Sequence, residues 1–411
     1  MHRPVPLLLT WFFLCCSRAG AAAPLAAWVQ LGEVAEVRAV VADAACPTLR
    51  LNGEMLVMDV RARASVDFPQ LCSALLTANT RAITLDGQPL PVLPENPSHI
   101  LVLGDTGCRI QGNQRQACND GKSWVFPKLA AAAAALRPDL VIHLGDYVSR
   151  EEACPAGFSG CEGSPFGDNW AAWKEDLFSP IAPLLGVAPV IFTRGNHEDC
   201  NRQGLGWLRL MGPRPVDPSA PCAPHVAPYS LSLGSVTLAV LDTASAPETE
   251  TVDSMALAYA NDLQTVGKLP SPVWMLQHRP IWGAIAGPLD IPIGGNLTLG
   301  AAVRKTPIPA NVDVMLSGHI HGFEAMNYYS GVPPQIISGT GGDLLHDIPR
   351  LLKGAIFQGT LDVTVKDGVS ASGFGFLMLN RTADGWDMDR YDADGNLSKQ
   401  CRLRNRHVDC G

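Results

Sequence analysis

From residue 99 onward the chain repeatedly writes a short apolar stretch and then breaks it. The stretches are His99-Ile-Leu-Val-Leu, Asp139-Leu-Val-Ile-His-Leu, Ala188-Pro-Val-Ile-Phe-Thr, Val236-Thr-Leu-Ala-Val-Leu, Pro272-Val-Trp-Met-Leu-Gln, Val312-Asp-Val-Met-Leu-Ser and Gln335-Ile-Ile-Ser. Short runs without polar alternation suit strands buried on both faces. Between them lie helical stretches: Trp170 to Leu185, Ser254 to Val266, and the alanine run from Ala130 to Ala135, alanine being the best helix former. Strands alternating with helices define an α/β class, in which ligands gather beyond the carboxyl ends of the strands.

Five of the seven stretches end in a polar cluster. The first runs into Gly104-Asp105-Thr106-Gly107, the second into Gly145-Asp146-Tyr147, and the third into Gly195-Asn196-His197-Glu198. The stretch at 272 ends in Gln277-His278-Arg279-Pro280, and that at 312 in Gly318-His319-Ile320-His321. A lone Gly-Asp is ordinarily a turn, and a lone histidine ordinarily a hydrogen-bonded structural residue. His319 and His321 are two apart, however, and alternate residues of an extended segment point the same way. Two carboxylates, one amide and three imidazoles form a borderline-hard donor set suited to divalent metals.

The five-cluster order resembles the calcineurin-like metallophosphoesterases, and most closely their purple acid phosphatase branch, over residues 99 to 345. The family pattern GDxG, GDxxY, GNH[D/E], xxxH, GHxH is met here by GDTG at 104, GD at 145, GNHE at 195, LQH ending at 278 and GHIH at 318. Gly339-Thr-Gly-Gly342 is similar to the family's turn after the last strand. The resemblance implies a two-layered β-sheet core flanked by helices, a four-layer sandwich. It also implies two divalent or mixed-valence ions, of iron, zinc or manganese. Asp105 and His321 would hold the first, Asn196, His278 and His319 the second, and Asp146 would bridge them. His197 would stay off the metals and serve the leaving group as the catalytic acid.

The charge arithmetic agrees: two divalent ions and two aspartates leave the site positive, which suits a phosphate ester. Such ions, about 3.5–4 Å apart, activate water and clamp phosphate. The expected activity is therefore phosphate-monoester hydrolysis by attack of a metal-bound hydroxide on a small phosphorylated substrate. A phosphodiesterase or nucleotidase with the same site is the alternative, and a non-catalytic binding protein on a decayed hydrolase fold is a third reading. One position departs from the pattern. Where purple enzymes carry a tyrosine that binds ferric iron, this chain has Ser149, and where other relatives carry a histidine it has Gly107. Tyr147 adjoins Asp146 and points elsewhere if the segment is extended.

Other residues carry a structural alternative. His143 reads as a core residue, and His225 and His346 as outside candidates for the pocket. Arg150, Arg194 and Arg279 adjoin the clusters, with surface pairing as their default. The loop from Cys154 to Asp168 is rich in glycine and proline, and either shapes substrate choice or covers a surface.

The remainder frames this core. Arg3 followed by an apolar run from Val5 to Cys16 and then Ala19-Gly20-Ala21 reads as a signal peptide over 1–23. Bulky Phe12, Phe13 and Leu14 argue against a lipid-modified cysteine. Residues 24–97 alternate apolar and polar residues between turns such as Asn52-Gly53 and Asp86-Gly87, a small all-β domain. Residues 98–411 form the catalytic domain, with two or three further strands expected after Phe374. Ten cysteines follow the signal, and nearest-neighbour pairing into five disulfides fits an oxidising, periplasmic or secreted location. The absence of any CxxC pair argues against thiolate metal ligation. The net charge of −8 excludes a broad basic nucleic-acid surface, and no long apolar run after the signal predicts a membrane span. Asn296, Asn380 and Asn396 open Asn-x-Ser/Thr triplets. The sequence leaves oligomeric state open.

Overall fold

The computed structural model describes residues 23–43, 45–215, 217, 220–329, 331–357 and 363–410. All but the last residue of the expected signal peptide lies outside them.

Period-two alternation builds the centre. In the strand His99–Leu103, Ile100 and Val102 face one side while Leu101 and Leu103 face the other. All four are buried, so both faces of this sheet are covered. The first pair joins Leu140, Ile142, Leu144 and Ile191 against Leu238, Trp274, Leu276, Val314 and Leu316 of a second sheet. The second pair packs on the helices Phe126–Ala135 and Ser179–Leu185. The second sheet turns its other face, with Val273, Met275 and Met315, toward the helices Asp253–Val266 and Leu297–Lys305. The result is the expected sandwich of helix, sheet, sheet and helix.

The first sheet has eleven strands. Its parallel centre places His99–Leu103, Leu140–His143 and Val190–Phe192 side by side. The second sheet orders Tyr229–Ser232, Thr237–Val240, Val273–Leu276, Val312–Ser317, Gln335–Ser338, Phe323–Tyr328 and Val365–Ala371. All seven apolar stretches of the sequence are strands here. The Trp170 to Leu185 stretch is helical throughout, with a widened π segment at Lys174–Phe178. After residue 374 there are four strands rather than two or three, Gly375–Arg381, Trp386–Asp392, Leu397–Arg404 and His407–Cys410, extending the first sheet from His99–Leu103. The fourth is a four-residue strand whose pairing with its neighbour includes the Cys401–Cys410 pair.

Residues 26–90 are all β. Ala26–Leu31 pairs in parallel with Val190–Phe192 through Gln30 and Val190, so the large sheet runs on through Ala35–Val41, Gln70–Leu75 and Asp59–Ala62. A separate four-stranded sheet covers them, with Leu49, Ile83 and Leu85 packed on Val29, Val37 and Ala39.

The five disulfides join Cys46–Cys72, Cys108–Cys118, Cys154–Cys161, Cys200–Cys222 and Cys401–Cys410, each nearest-neighbour pair in sequence. Among the described residues no helix is long and apolar enough to cross a membrane.

Candidate metal centre

The polar clusters meet where the parallel strands of the two sheets end. The loops after His99–Leu103 and Leu140–His143 are bonded backbone to backbone: Asp105 N–H donates to the Gly145 carbonyl and Thr106 N–H to that of Asp146, each at 2.9 Å. Asp105, Asp146 and His319 sit at φ +59°, +55° and +71°. Left-handed backbone at three non-glycine residues costs on the order of 1–3 kcal/mol each, and such strain concentrates at functional sites. The glycines beside them are needed for space: a Cβ at Gly195 would lie 2.1 Å from the Asp146 amide nitrogen, and one at Gly318 2.5 Å from Asp105 Oδ2.

Six side chains converge there. His278 Nε2 lies 2.9 Å from Asn196 Oδ1 and 3.2 Å from Asp146 Oδ2, while its Nδ1 faces the Leu144 carbonyl at 2.7 Å. His321 Nε2 lies 3.4 Å from Asp105 Oδ1, with Nδ1 on the Leu344 carbonyl. The His319 amide donates to both Asp105 oxygens at 2.9 Å. Asp146, His278 and His319 present ligand atoms within 4.8 Å of one another, and so do Asp105, Asp146 and His321. Asp146 belongs to both groups. His278 and His321 each rest Nδ1 on a backbone carbonyl, the orientation that steadies an imidazole ligand, whereas His319 has Nε2 against Glu248.

The electrostatics suit cations. Burial alone would raise the Asp146 carboxyl, but His278 and His197 hold it well below the usual range. Burial pulls the other way on His278 and His321, yet Asp146 and Asp105 lift His278 to about 9, and Asp343 and Asp105 lift His321 to about 9. Buried carboxylates thus draw positive charge onto the imidazoles, and a divalent ion replaces those protons when it binds. The donor set fits two divalent ions by ligand type, count and proximity.

His197 joins the margin. Its amide donates to Asp146 Oδ1 at 2.9 Å, and its Nε2 lies 3.8 Å from Asp146 Oδ2. Tyr147 turns away: its ring is buried against His143 and Phe192 and its hydroxyl donates to the Thr193 carbonyl. His143 is a core residue, 3.0 Å from Thr106 Oγ1, and burial pushes it down to about 3. His225 pairs with Asp262. His346 stacks on His321 at 4.4 Å and its Nδ1 accepts the His321 amide. Arg150 pairs with Asp176 and Arg194 with Asp242, both buried, whereas Arg279 reaches Glu248 and His319. Asn296 is buried as the N-cap of the helix Leu297–Lys305.

Four acidic residues of this neighbourhood have no assigned role in the sequence reading. Glu198 is buried and accepts amides from Asp146, Tyr147, Val148 and Gly195 at 2.8–3.3 Å, clasping two ligand loops together. Its place in the GNHE cluster was the available signal. Glu248 Oε1 lies 2.5 Å from His319 Nε2 and 2.9 Å from Arg279; against the effect of burial, these two hold it at about 2. Asp343, buried, accepts two bonds from Arg109 and one from Ser149. Glu151 lies against His197.

The calcineurin-like phosphoesterase family model matches residues 98–323. No curated protein sequence matches the chain. Among solved structures, a purple acid phosphatase from yellow lupin (Lupinus luteus) seeds is similar, with 14% identity and a TM-score of 0.58 over 92% of this chain and 74% of that one. A structure described as PhoD is similar over 95% of this chain and 92% of that one, with 11% identity and a TM-score of 0.56. At such identities these two establish a shared fold. With more than half of its length matched by the family model, and with the family's donor clusters gathered at one sheet edge, the chain belongs to the calcineurin-like phosphoesterases and is a metal-dependent phosphatase of that family.

Proposed function

We propose that the chain is an exported phosphomonoesterase with a dinuclear metal site. Asp105 and His321 would hold a first cation, Asn196, His278 and His319 a second, and Asp146 would serve both. The observation that carries this reading is the membership of Asp146 in both three-residue donor groups. A cation pair bound there supplies Lewis-acid polarisation of the phosphoryl group and an ionised water near neutral pH.

The chain's own residues do the rest. Asp105 and Asp146 cancel half of the added charge, and the surplus favours a dianionic monoester over a monoanionic diester. Asn196 supplies an oxygen without cancelling more. His197 presents Nε2 toward the centre, placed to give a proton to the departing ester oxygen. The five disulfides support export to an oxidising compartment.

The test compares phosphate release from an aryl monoester and a bis-aryl diester by purified, metal-analysed protein. A higher kcat/KM on the monoester is expected. Preference for the diester would transfer the assignment to a phosphodiesterase, and no turnover on any ester by metal-loaded protein would leave a binding module.

A further inference from the structure

We propose that the alcohol part of the substrate is a polyol of hexose size, seated in a polar cavity beside the metal centre; this rests on the phosphomonoesterase reading given above. The cavity holds about 560 Å³, within the range of small-molecule sites. Three walls enclose it. One is the segment 346–350, which follows the glycine-rich turn. The second is the hairpin of Ala284–Ala286 and Pro292–Gly294, and the third is the end of the strand Val365–Ala371 with Ser372.

The walls are bonded to one another. The Ala286 amide donates to the Asp347 carbonyl at 2.8 Å, the Arg350 amide to Asp290 Oδ2 at 3.1 Å, and the Ser370 hydroxyl to the Pro349 carbonyl. The cavity also abuts the donor cluster. His346 lines it and stacks on His321, with ring centroids 4.4 Å apart and planes 5° from parallel. Ala371 pairs with Phe323, two residues past His321. One ring therefore separates a first-cation donor from the cavity, and an ester whose phosphate sits at the centre can lay its alcohol carbons there.

These bonds leave several side-chain groups open. Among the described residues, the Asp347 carboxylate, the Arg350 guanidinium and the Ser372 hydroxyl have no bonding partner. A carboxylate accepts hydrogen bonds, a guanidinium donates them and a hydroxyl does both. A row of sugar hydroxyls, each donor and acceptor, answers all three; an unsubstituted aryl group answers none. Two carboxylates, Asp290 and Asp347, stand against one guanidinium, Arg350, and disfavour a second phosphate on the alcohol.

The test measures binding and turnover in the full, zinc-loaded chain. Calorimetry compares the phosphonate analogue of glucose 6-phosphate with phenylphosphonate, neither of which is hydrolysed. The parent should bind the sugar phosphonate at least ~10-fold more tightly, the worth of two net hydrogen bonds. Asp347 and Arg350 are exposed, and their bonds to the frame are made by backbone atoms. The double variant Asp347→Ala/Arg350→Ala therefore keeps the frame and should reduce the preference by ~10-fold. The ratio of kcat/KM on glucose 6-phosphate to that on phenyl phosphate should fall in parallel. Equal binding of the two phosphonates by the parent, or a preference unchanged in the double variant, would overturn the proposal. If the parent hydrolyses no phosphate ester yet prefers the sugar phosphonate, the phosphatase reading fails and the polyol site stands; turnover without that preference gives the reverse.

Discussion

Gly107 and Ser149 stand in contact: a Cβ on Gly107 would lie 2.6 Å from the Ser149 amide nitrogen and 2.7 Å from its Oγ. These are the two positions at which relatives of the resembled pattern carry a further ligand, histidine at one or tyrosine at the other. The fold brings them to the same spot, and here the spot is closed by a glycine and a serine whose hydroxyl is spent on Asp343 at 2.8 Å.

On the proposed assignment, the first cation position is therefore left with Asp105, Asp146 and His321. Iron-loaded protein is expected to lack a tyrosinate-to-iron absorption band, because the Tyr147 hydroxyl is buried on the Thr193 carbonyl. Titration with zinc, followed by calorimetry, should resolve two classes of site, with the weaker lost first on dialysis. A purple protein, or two sites of equal affinity, would contradict this.

Asn196 and His278 touch at 2.9 Å and are assigned to the second position in the proposed reading. Asn196→Ala and His278→Ala should each lose about one cation per chain, a donor loss that typically costs activity on the order of 100-fold or more. Elemental analysis beside phosphate release checks the coupling; loss of activity at full cation content would break it.

Glu198 supplies the acceptor for four buried amides of two ligand loops. Leaving them unsatisfied costs about 1–3 kcal/mol for each amide that water does not reach. Glu198→Ala should thus lower stability by at least ~3 kcal/mol in chemical denaturation, whereas Glu198→Gln, which retains one acceptor oxygen, should cost less. A change below ~1 kcal/mol in Glu198→Ala would show that the loops are held otherwise.

The apolar strands and the five polar clusters were legible because each is local: a run of four to six residues and the turn after it. The same holds for disulfides seven to twenty-six residues apart. What escaped is non-local. The parallel pairing of Gln30 with Val190 joins segments 160 residues apart, and nothing in Ala26–Leu31 announces it. Phe323–Tyr328 was missed because it is buried on both faces yet carries Glu324 on one and Asn327 on the other, which break the apolar pattern. Glu248 and Asp343 come from loops with no periodic signal and acquire meaning only beside His319, Arg109 and Ser149.

Buried ion pairs behind the site should be costly to break. Arg150 and Asp176 are both buried, and Asp176 also accepts the Ser149 amide at 3.0 Å, tying the Asp146 loop to the Trp170–Leu185 helical run. Asp176→Ala leaves Arg150 uncompensated and should destabilise by about 3–5 kcal/mol. Replacement of both residues by apolar ones of similar volume should restore part of that, measured as a double-mutant cycle. A single-mutant cost below ~1 kcal/mol would refute the tie.

His225 predicts a pH dependence away from the metals. Burial lowers its pKa, but the Asp262 carboxylate 2.7 Å away outweighs that and raises it. The folded state therefore holds the proton more tightly than the unfolded chain. The stabilisation is full below the unfolded value of about 6.5 and is lost as pH rises through the higher folded value. Melting temperature of the parent should fall over that interval relative to His225→Gln; parallel curves would remove His225 as the cause.

Cation stoichiometry of the parent against Asp146→Asn tests the centre most directly. With Asp146 shared by both donor groups, the parent should hold two divalent ions per chain. The single substitution should weaken both positions and abolish phosphate release. Two ions retained at full affinity in Asp146→Asn, or a parent that never binds more than one, would contradict the shared-carboxylate account.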